Sequence, residues 1–180
     1  MLPEARVSGW IGREAGKPSS VIDLGCALAE YSFSTGATHV CGLDSFRPYI
    51  DWCKDMLADT VSPFVEEARF ECGDVLDYAT IFDHPHDCAL LIDVIEHMDK
   101  PKGVELLERL KETCRTVLVF TPLGWHEQGE VDENPAQKHV SAWFPAEFEV
   151  LGFSVTADAN FHSDNPPEKR GAIFAVWRKS

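Results

Sequence analysis

Four aspartates fall at or just past the ends of short apolar runs: Asp23 in Val21-Ile22-Asp23-Leu24, Asp44 in Cys41-Gly42-Leu43-Asp44, Asp74 after Phe70-Glu71-Cys72-Gly73, and Asp93 after Leu90-Leu91-Ile92. If the runs are parallel strands, ligands sit beyond their carboxyl ends, near the point where strand order reverses, and the carboxylates ring one crevice. Each offers two acceptor oxygens, which suits a hydroxyl-bearing ligand. Gly25, after the first run, lets backbone approach a ligand without a Cβ in the way. His97, four residues beyond Asp93, and His126 and His139, further on, are the side chains able to take a proton from an acceptor at neutral pH.

The elements that must position these groups follow from punctuation and period. Short apolar runs alternate with amphipathic stretches, the pattern of βαβ units around a parallel sheet. Residues about 3–15 place Val7, Trp10 and Ile11 on one face of a helix weakened by Gly9 and Gly12. Strands are expected at Ser20–Leu24, His39–Asp44, Arg69–Cys72, Cys88–Ile92 and Thr116–Phe120, with helices around residues 30–35, 47–58 and 100–112. In the second of these, Pro48 suits a first turn, with Tyr49, Ile50, Cys53 and Leu57 at helical spacing; in the third, Val104, Leu107 and Leu110 face inward. Cys88–Ile92, the most apolar run, reads as a central strand covered on both faces. Pro145 to Leu151 reads as a helix closed by Gly152. Phe153–Ala159 and Ala172–Arg178, with the polar turn Asn160–Gly171 between them, read as a terminal antiparallel pair. The segment 123–144 has no clean period, exceeds the usual length of a structureless connection, and is expected to be a substrate loop.

The expected fold is therefore α/β: a single Rossmann-like domain over residues 1–180, with a mostly parallel seven-stranded sheet, a C-terminal antiparallel pair and helices on both faces. A chain of 180 residues can bury roughly 70% of its unfolded surface. Its 16 Lys+Arg against 30 Asp+Glu give a net charge of −14, which repels phosphate backbones and anionic lipid. Neither nucleic acid nor membrane is expected as a partner, and a cytoplasmic monomer or homodimer is. Basic groups at Arg13, Lys17, Lys169 and Arg170 leave local patches open. The six cysteines contain no C-x-x-C pair and lie mostly in apolar runs, as reduced buried side chains do. No metal site is expected: His84-Pro85-His86 has no third ligand at a readable spacing and reads as a solvated turn.

The ordered set resembles the class I S-adenosylmethionine-dependent methyltransferases. Val21-Ile22-Asp23-Leu24-Gly25-Cys26-Ala27 is similar to their first motif, Gly42-Leu43-Asp44 to the acidic end of their second strand, Gly73-Asp74-Val75 to their adenine-contacting turn, and Asp93-Val94-Ile95-Glu96-His97 to their signature after strand four. The likeness runs from about Ser20 to Arg178. It implies S-adenosyl-L-methionine as cofactor, with Asp23, Gly25, Cys26, Ala27, Asp44, Ser45, Asp74, Val75, Asp93 and Val94 around it. In that reading Asp44 accepts from both ribose hydroxyls, Asp74 from the adenine amino group, and the backbone around Asp93 and Val94 meets the amino-acid end. Ala27 and Ala29 stand where the family often has glycine, and an alanine held at positive φ is strained by roughly 1 kcal/mol.

Methyl transfer from a sulfonium is an in-line displacement that needs a base only where the acceptor holds its proton, so a hydroxyl acceptor calls for His97, His126 or His139 as catalytic group. Asn134-Pro135-Ala136-Gln137-Lys138-His139-Val140-Ser141-Ala142-Trp143 is similar to a stretch in small bacterial class I methyltransferases, several of which accompany sugar or polysaccharide pathways. A small-molecule or glycan acceptor and O-methylation are expected, with Trp125 and Trp143 walling the pocket. Three rivals stand beside this reading. A degenerate relative could keep the scaffold as a binding or regulatory module, and a protein or RNA could be the acceptor. A nicotinamide oxidoreductase would use Asp44 equally well but lacks the G-x-G-x-x-G turn.

Overall fold

In the computed structural model, which describes residues 3–59, 64–131, 133–162 and 171–180, seven strands form one sheet in the order β3-β2-β1-β4-β5-β7-β6. The strands are β1 (Ser20–Leu24), β2 (His39–Asp44), β3 (Glu67–Cys72), β4 (Cys88–Ile92), β5 (Thr116–Pro122), β6 (Ser154–Asp158) and β7 (Ala172–Arg178). The first five run parallel; β7 lies antiparallel between β5 and β6. Strand order reverses between β1 and β4, so the carboxyl ends of these two strands open the crevice. Every residue of β4 is buried, as its uninterrupted apolar run requires of a strand covered on both faces.

Helices α1 (Pro3–Glu14) and α2 (Arg47–Asp59) cover one face, where Val7, Trp10, Ile11, Ile50 and Cys53 pack with Val21, Val40, Leu90 and Leu118. The other face carries α3 (Tyr78–Ile81), α4 (Lys100–Thr113) and α5 (Pro145–Val150), and buries Tyr78, Leu106, Leu107, Leu110, Trp143 and Phe148 against Ile22, Leu91, Val117 and Val119. In α4 the inward residues are Gly103, Leu106, Leu107 and Leu110, with Val104 partly buried. No helix among the described residues is long and apolar enough to cross a membrane.

The helix expected around residues 30–35 is not there; the connection from β1 to β2 is a series of turns. Six residues lie below the length at which a helix supports itself, and their side chains bond elsewhere. Ser32 Oγ donates to Asp23 at 2.6 Å, and Thr35 Oγ1 accepts from the Ala37 N–H at 3.2 Å. This connection lies against α1, where a Cβ on Gly12 would come within 3.2 Å of the Ser34 carbonyl. The glycine that weakens the helix on paper admits the turn. The side chain of Leu57, Lys169 and Arg170, and most of the Asn160–Gly171 turn lie outside the described residues.

Candidate active site

A crevice of about 400 Å³ opens at the β1/β4 reversal, a volume in the range of small-molecule sites. Gly25, Asp44, Ser45, Asp74, Val75, Asp93, Val94 and His97 line it, joined by Asn134, Ala136, Gln137 and Val140 from the loop after β5. Seven of the ten residues that the sequence places around a cofactor therefore share one cavity. Asp23, Cys26 and Ala27 stand behind it. Asp23 is buried and accepts from Ser32, and desolvation pushes its carboxyl up to about 7. Cys26 sits under β2, where a Cβ on Gly42 would approach its sulfur to 2.9 Å.

The turn after β1 is built from backbone. Gly25 and Cys26 both donate to the Leu43 carbonyl at 2.7 and 3.1 Å, and Asp44 accepts from the N–H groups of Ala27 (2.9 Å) and Phe46 (2.8 Å). Burial pushes the Asp44 carboxyl up, and these two donors pull it down. Gly25 has φ of 74°, and a Cβ there would lie 2.6 Å from Val94. Ala27 and Ala29 hold φ of 43° and 61°, so the loop keeps the left-handed backbone that glycine adopts freely and carries the alanine strain expected from the sequence. Asp74 is exposed, and one of its oxygens accepts from Leu76 N–H at 2.9 Å, fixing the turn that begins at Val75.

Beyond β4 the backbone turns sharply. Asp93 has φ of 53° with its N–H on the Phe120 carbonyl at 2.9 Å, and a single 3₁₀ turn, Ile95–His97, follows. Asp93 opens to the crevice, yet desolvation on its protein side pushes its carboxyl up to about 7 beside Glu96. Glu96 is 2% exposed. Its Oε2 accepts from Thr121 Oγ1 at 2.9 Å, and Oε1 is buried with no N–H or hydroxyl donor on it, so the Glu96 and Asp93 carboxyls hydrogen-bond to each other when one of them holds a proton. Burial and the Asp93 carboxylate hold Glu96 well above the usual carboxylate range.

The loop after β5 is sewn onto this turn. Val140 and Ser141 N–H donate to the Glu96 carbonyl at 2.8 and 3.0 Å; Ser141 Oγ and Trp143 Nε1 donate to the Ile95 carbonyl at 3.1 and 3.2 Å. His139 is thereby brought to His97, with ring centroids 4.9 Å apart. His97 Nδ1 lies 3.2 Å from the Lys138 carbonyl and His139 Nδ1 2.9 Å from the His126 carbonyl, which assigns a proton to each Nδ1. One carboxylate oxygen of Glu96 and one nitrogen of each ring lie within 4.8 Å of one another. Imidazoles that donate their other N–H to a carbonyl, beside a buried carboxylate, are the donor set of a divalent-cation site, and these residues fit one.

The sequence reading named no metal ligand and passed over Glu96. The one signal was its place within Asp93-Val94-Ile95-Glu96-His97; what it lacked was the fold that lays His139 beside that turn. Of the three candidate histidines, His97 and His139 are brought together and His126 contributes its backbone carbonyl. Trp143 is not a pocket wall: it is 1% exposed and packs on Phe148 and Gly103. Trp125 is 58% exposed and does not line the crevice. Trp143 leaves the pocket because its indole N–H donates to the Ile95 carbonyl and draws the loop's far end into the core.

No protein-family model matches the chain, and no curated protein sequence is recognisably similar to it. Solved structures are. The methyltransferase domain of bacterial CtHen1 matches over 99% of this chain and 100% of its own at 20% identity and a TM-score of 0.67. The N-terminal domain of EvdMO1 with SAH bound matches over 100% and 82%, at 13% identity and 0.69; it is also known in the presence of SAH and D-fucose. Magnesium protoporphyrin IX methyltransferase (ChlM) from Synechocystis PCC 6803 with bound SAM matches over 98% and 78%, at 15% and 0.63. Against the small RNA methyltransferase HEN1 the chain spans 25% of the neighbour's length, at 18% identity and 0.71. The chain has the class I S-adenosylmethionine-dependent methyltransferase fold.

Proposed function

We propose that this protein is an S-adenosylmethionine-dependent methyltransferase that methylates a hydroxyl of a small, uncharged acceptor of the sugar or glycan class, with a divalent cation held by Glu96, His97 and His139. The observation that carries the reading is that a Glu96 carboxylate oxygen and one ring nitrogen each of His97 and His139 lie within 4.8 Å of one another, at the edge of the crevice where this fold receives its cofactor. SAH or SAM occupies the neighbours EvdMO1 and ChlM, and D-fucose accompanies EvdMO1.

S-adenosylmethionine supplies an electrophilic methyl on a sulfonium, and a divalent cation would acidify an acceptor hydroxyl at neutral pH. The chain supplies the rest. Gly25 lets Val94 pack against the first turn, Asp44 keeps that turn in place, and Asp74 and Val75 line the same cavity. Asp93 lines the cavity with His97, and desolvation beside Glu96 raises its carboxyl. Asp44, Asp74, Asp93 and Asp99 line the cavity against one lysine, Lys102, so a neutral acceptor is favoured over a phosphorylated one. RNA is the second reading: HEN1 is described as a small RNA methyltransferase, and Lys100 and Lys102 edge a groove that adjoins the crevice.

The test is calorimetric titration with S-adenosylhomocysteine of wild type and Asp44→Ala, followed by methyl transfer to sugars and to an RNA oligonucleotide with and without EDTA. Micromolar binding lost in the variant, and transfer to a sugar that EDTA abolishes and added metal restores, is the expected result. Absence of binding by the wild type would leave the degenerate module. EDTA-resistant transfer would remove the cation, and transfer to RNA alone would move the acceptor.

A further inference from the structure

A second cluster lies at the opposite end of the sheet. β2 places Cys41 level with Ile22 of β1, and Ile22 is level with Ala89 of β4, so the loop that enters β4 at its amino end brings His86 and His84 toward Cys41. One ligand atom from each of these three side chains lies within 4.8 Å of the others. Cys41 is 6% exposed and His86 5% exposed, while His84 is open to solvent. His86 Nε2 is buried with no hydrogen-bond partner. A histidine kept only for packing would have that nitrogen bonded or turned to water, because leaving it desolvated costs about 1–3 kcal/mol. Its ring is held edge-on by Phe82, with centroids 6.1 Å apart, and stacks on His84 at 4.8 Å. His84 Nδ1 faces the Asp83 carboxylate at 3.4 Å, the partner that orients an imidazole and leaves its Nε2 for a metal.

We propose that Cys41, His84 and His86 form a binding site for a borderline-soft d-block cation, Zn²⁺ foremost, that clips the loop before β4 to β2. One thiolate and two imidazoles are a donor set for zinc, and water on the exposed His84 side completes a tetrahedron. Tetrahedral ligands at Zn–S of ~2.3 Å and Zn–N of ~2.0 Å stand roughly 3.3–3.6 Å apart, so loading draws the cluster together by up to ~1.5 Å, a movement an exposed loop of bends can make. On binding, the Cys41 S–H bond breaks, its proton leaves to solvent and the sulfur lone pair forms the metal bond. The site is separate from the Glu96 cluster, which contains no sulfur.

That difference gives the experiment. The metal-free protein is titrated with Co²⁺, whose thiolate-to-metal charge-transfer band reports sulfur ligation alone, and then with Zn²⁺ as competitor. The wild type is expected to show the band, to lose it when Zn²⁺ is added, and to gain ~5–10 °C in Tm with Zn²⁺ a hundredfold above its Kd. Cys41→Ser should abolish the band, His84→Ala and His86→Ala should weaken Co²⁺ binding at least tenfold, and Glu96→Gln should leave the band in place. A wild type without the band overturns the site, as does a band that persists in folded Cys41→Ser. Should Cys41→Ser fail to fold, unchanged Co²⁺ affinity in His84→Ala, whose side chain is exposed, overturns it equally.

Discussion

Two buried carboxylates, Glu96 and Asp23, make opposite demands on the site. Glu96 is desolvated beside the Asp93 carboxyl, an arrangement that costs stability unless a proton shared by the pair or a cation offsets it. Glu96→Gln keeps the Thr121 contact and removes the charge; it is expected to lower methyl transfer by ~10²-fold while leaving S-adenosylhomocysteine affinity within about threefold, measured by turnover and calorimetry side by side. The same variant should also be at least as stable as wild type without metal, because the amide loses no solvation it needs as an ion. Asp23 titrates instead of binding. Its folded carboxyl lies at about 7, above the unfolded value of 3.8, so the folded state holds more protons between those limits. Its contribution is therefore full below pH ~4 and lost as pH rises through ~7. Urea denaturation of wild type and Asp23→Asn from pH 4 to 8 should show the wild type losing roughly 1–4 kcal/mol relative to the variant across that window. A constant difference would show that Asp23 stays ionised throughout. Asp23 was legible as an important acid from its place in an apolar strand, but its partner was not, since Ser32 belonged to a stretch expected to be helical.

At the scale of elements, the turn after β1 and the docking of the loop after β5 decide the site's shape. Ala29 sits at φ of 61°, so Ala29→Gly should relieve ~1 kcal/mol of strain, partly offset by the freedom glycine adds to the unfolded chain. A net gain of ~0.5 kcal/mol is expected in chemical denaturation, and Ala29→Val should instead cost more than ~2 kcal/mol. In α4, a Cβ on Gly103 would lie 2.7 Å from the Trp143 ring. Gly103→Ala is expected to destabilise by ~1–3 kcal/mol and, by shifting the indole whose N–H holds the Ile95 carbonyl, to weaken metal retention at Glu96 and His97. Full transfer activity in Gly103→Ala would show that the docking is not needed. Strands were readable because apolar runs and Gly-Asp turns mark them: β1, β2, β4 and β7 have the expected bounds, and β3, β5 and β6 differ by one or two residues at one or both ends. The 123–144 loop was readable only as a loop, since its order comes from backbone and side-chain bonds to a turn some forty residues earlier.

For the whole molecule, the net charge of −14 and the carboxylates of the crevice act on any acceptor before it arrives. With the neutral sugar as reference, a phosphorylated analogue should show a KM at least tenfold higher at 20 mM salt, and the gap should narrow as salt shortens the Debye length from about 20 to below 5 Å. A gap that ignores salt would place the discrimination in shape. The two faces of the sheet carry separate apolar clusters, and each covers one side of β4. Cys41 and Phe82 belong to the same apolar cluster as Val94, against which Val75 and Leu76 of the crevice pack, so the Cys41 cluster and the crevice share one face of the sheet.

The sequence by itself determined the strands, their mostly parallel sheet with a terminal antiparallel pair and the carboxylates at the strand ends, because hydrophobic period and turn residues act locally along the chain; which strands flank the reversal is a matter of tertiary order. It also carried the alanines in the first turn, whose left-handed backbone the structure keeps. Tertiary structure alone decided which histidines meet. His97 and His139 are 42 positions apart and His86 and Cys41 are 45, and their approach depends on crossover lengths, strand register and the bonds that dock each loop. The desolvation of Glu96 beside Asp93 and an orphan nitrogen on His86 are properties of surroundings, which no spacing along one chain can express.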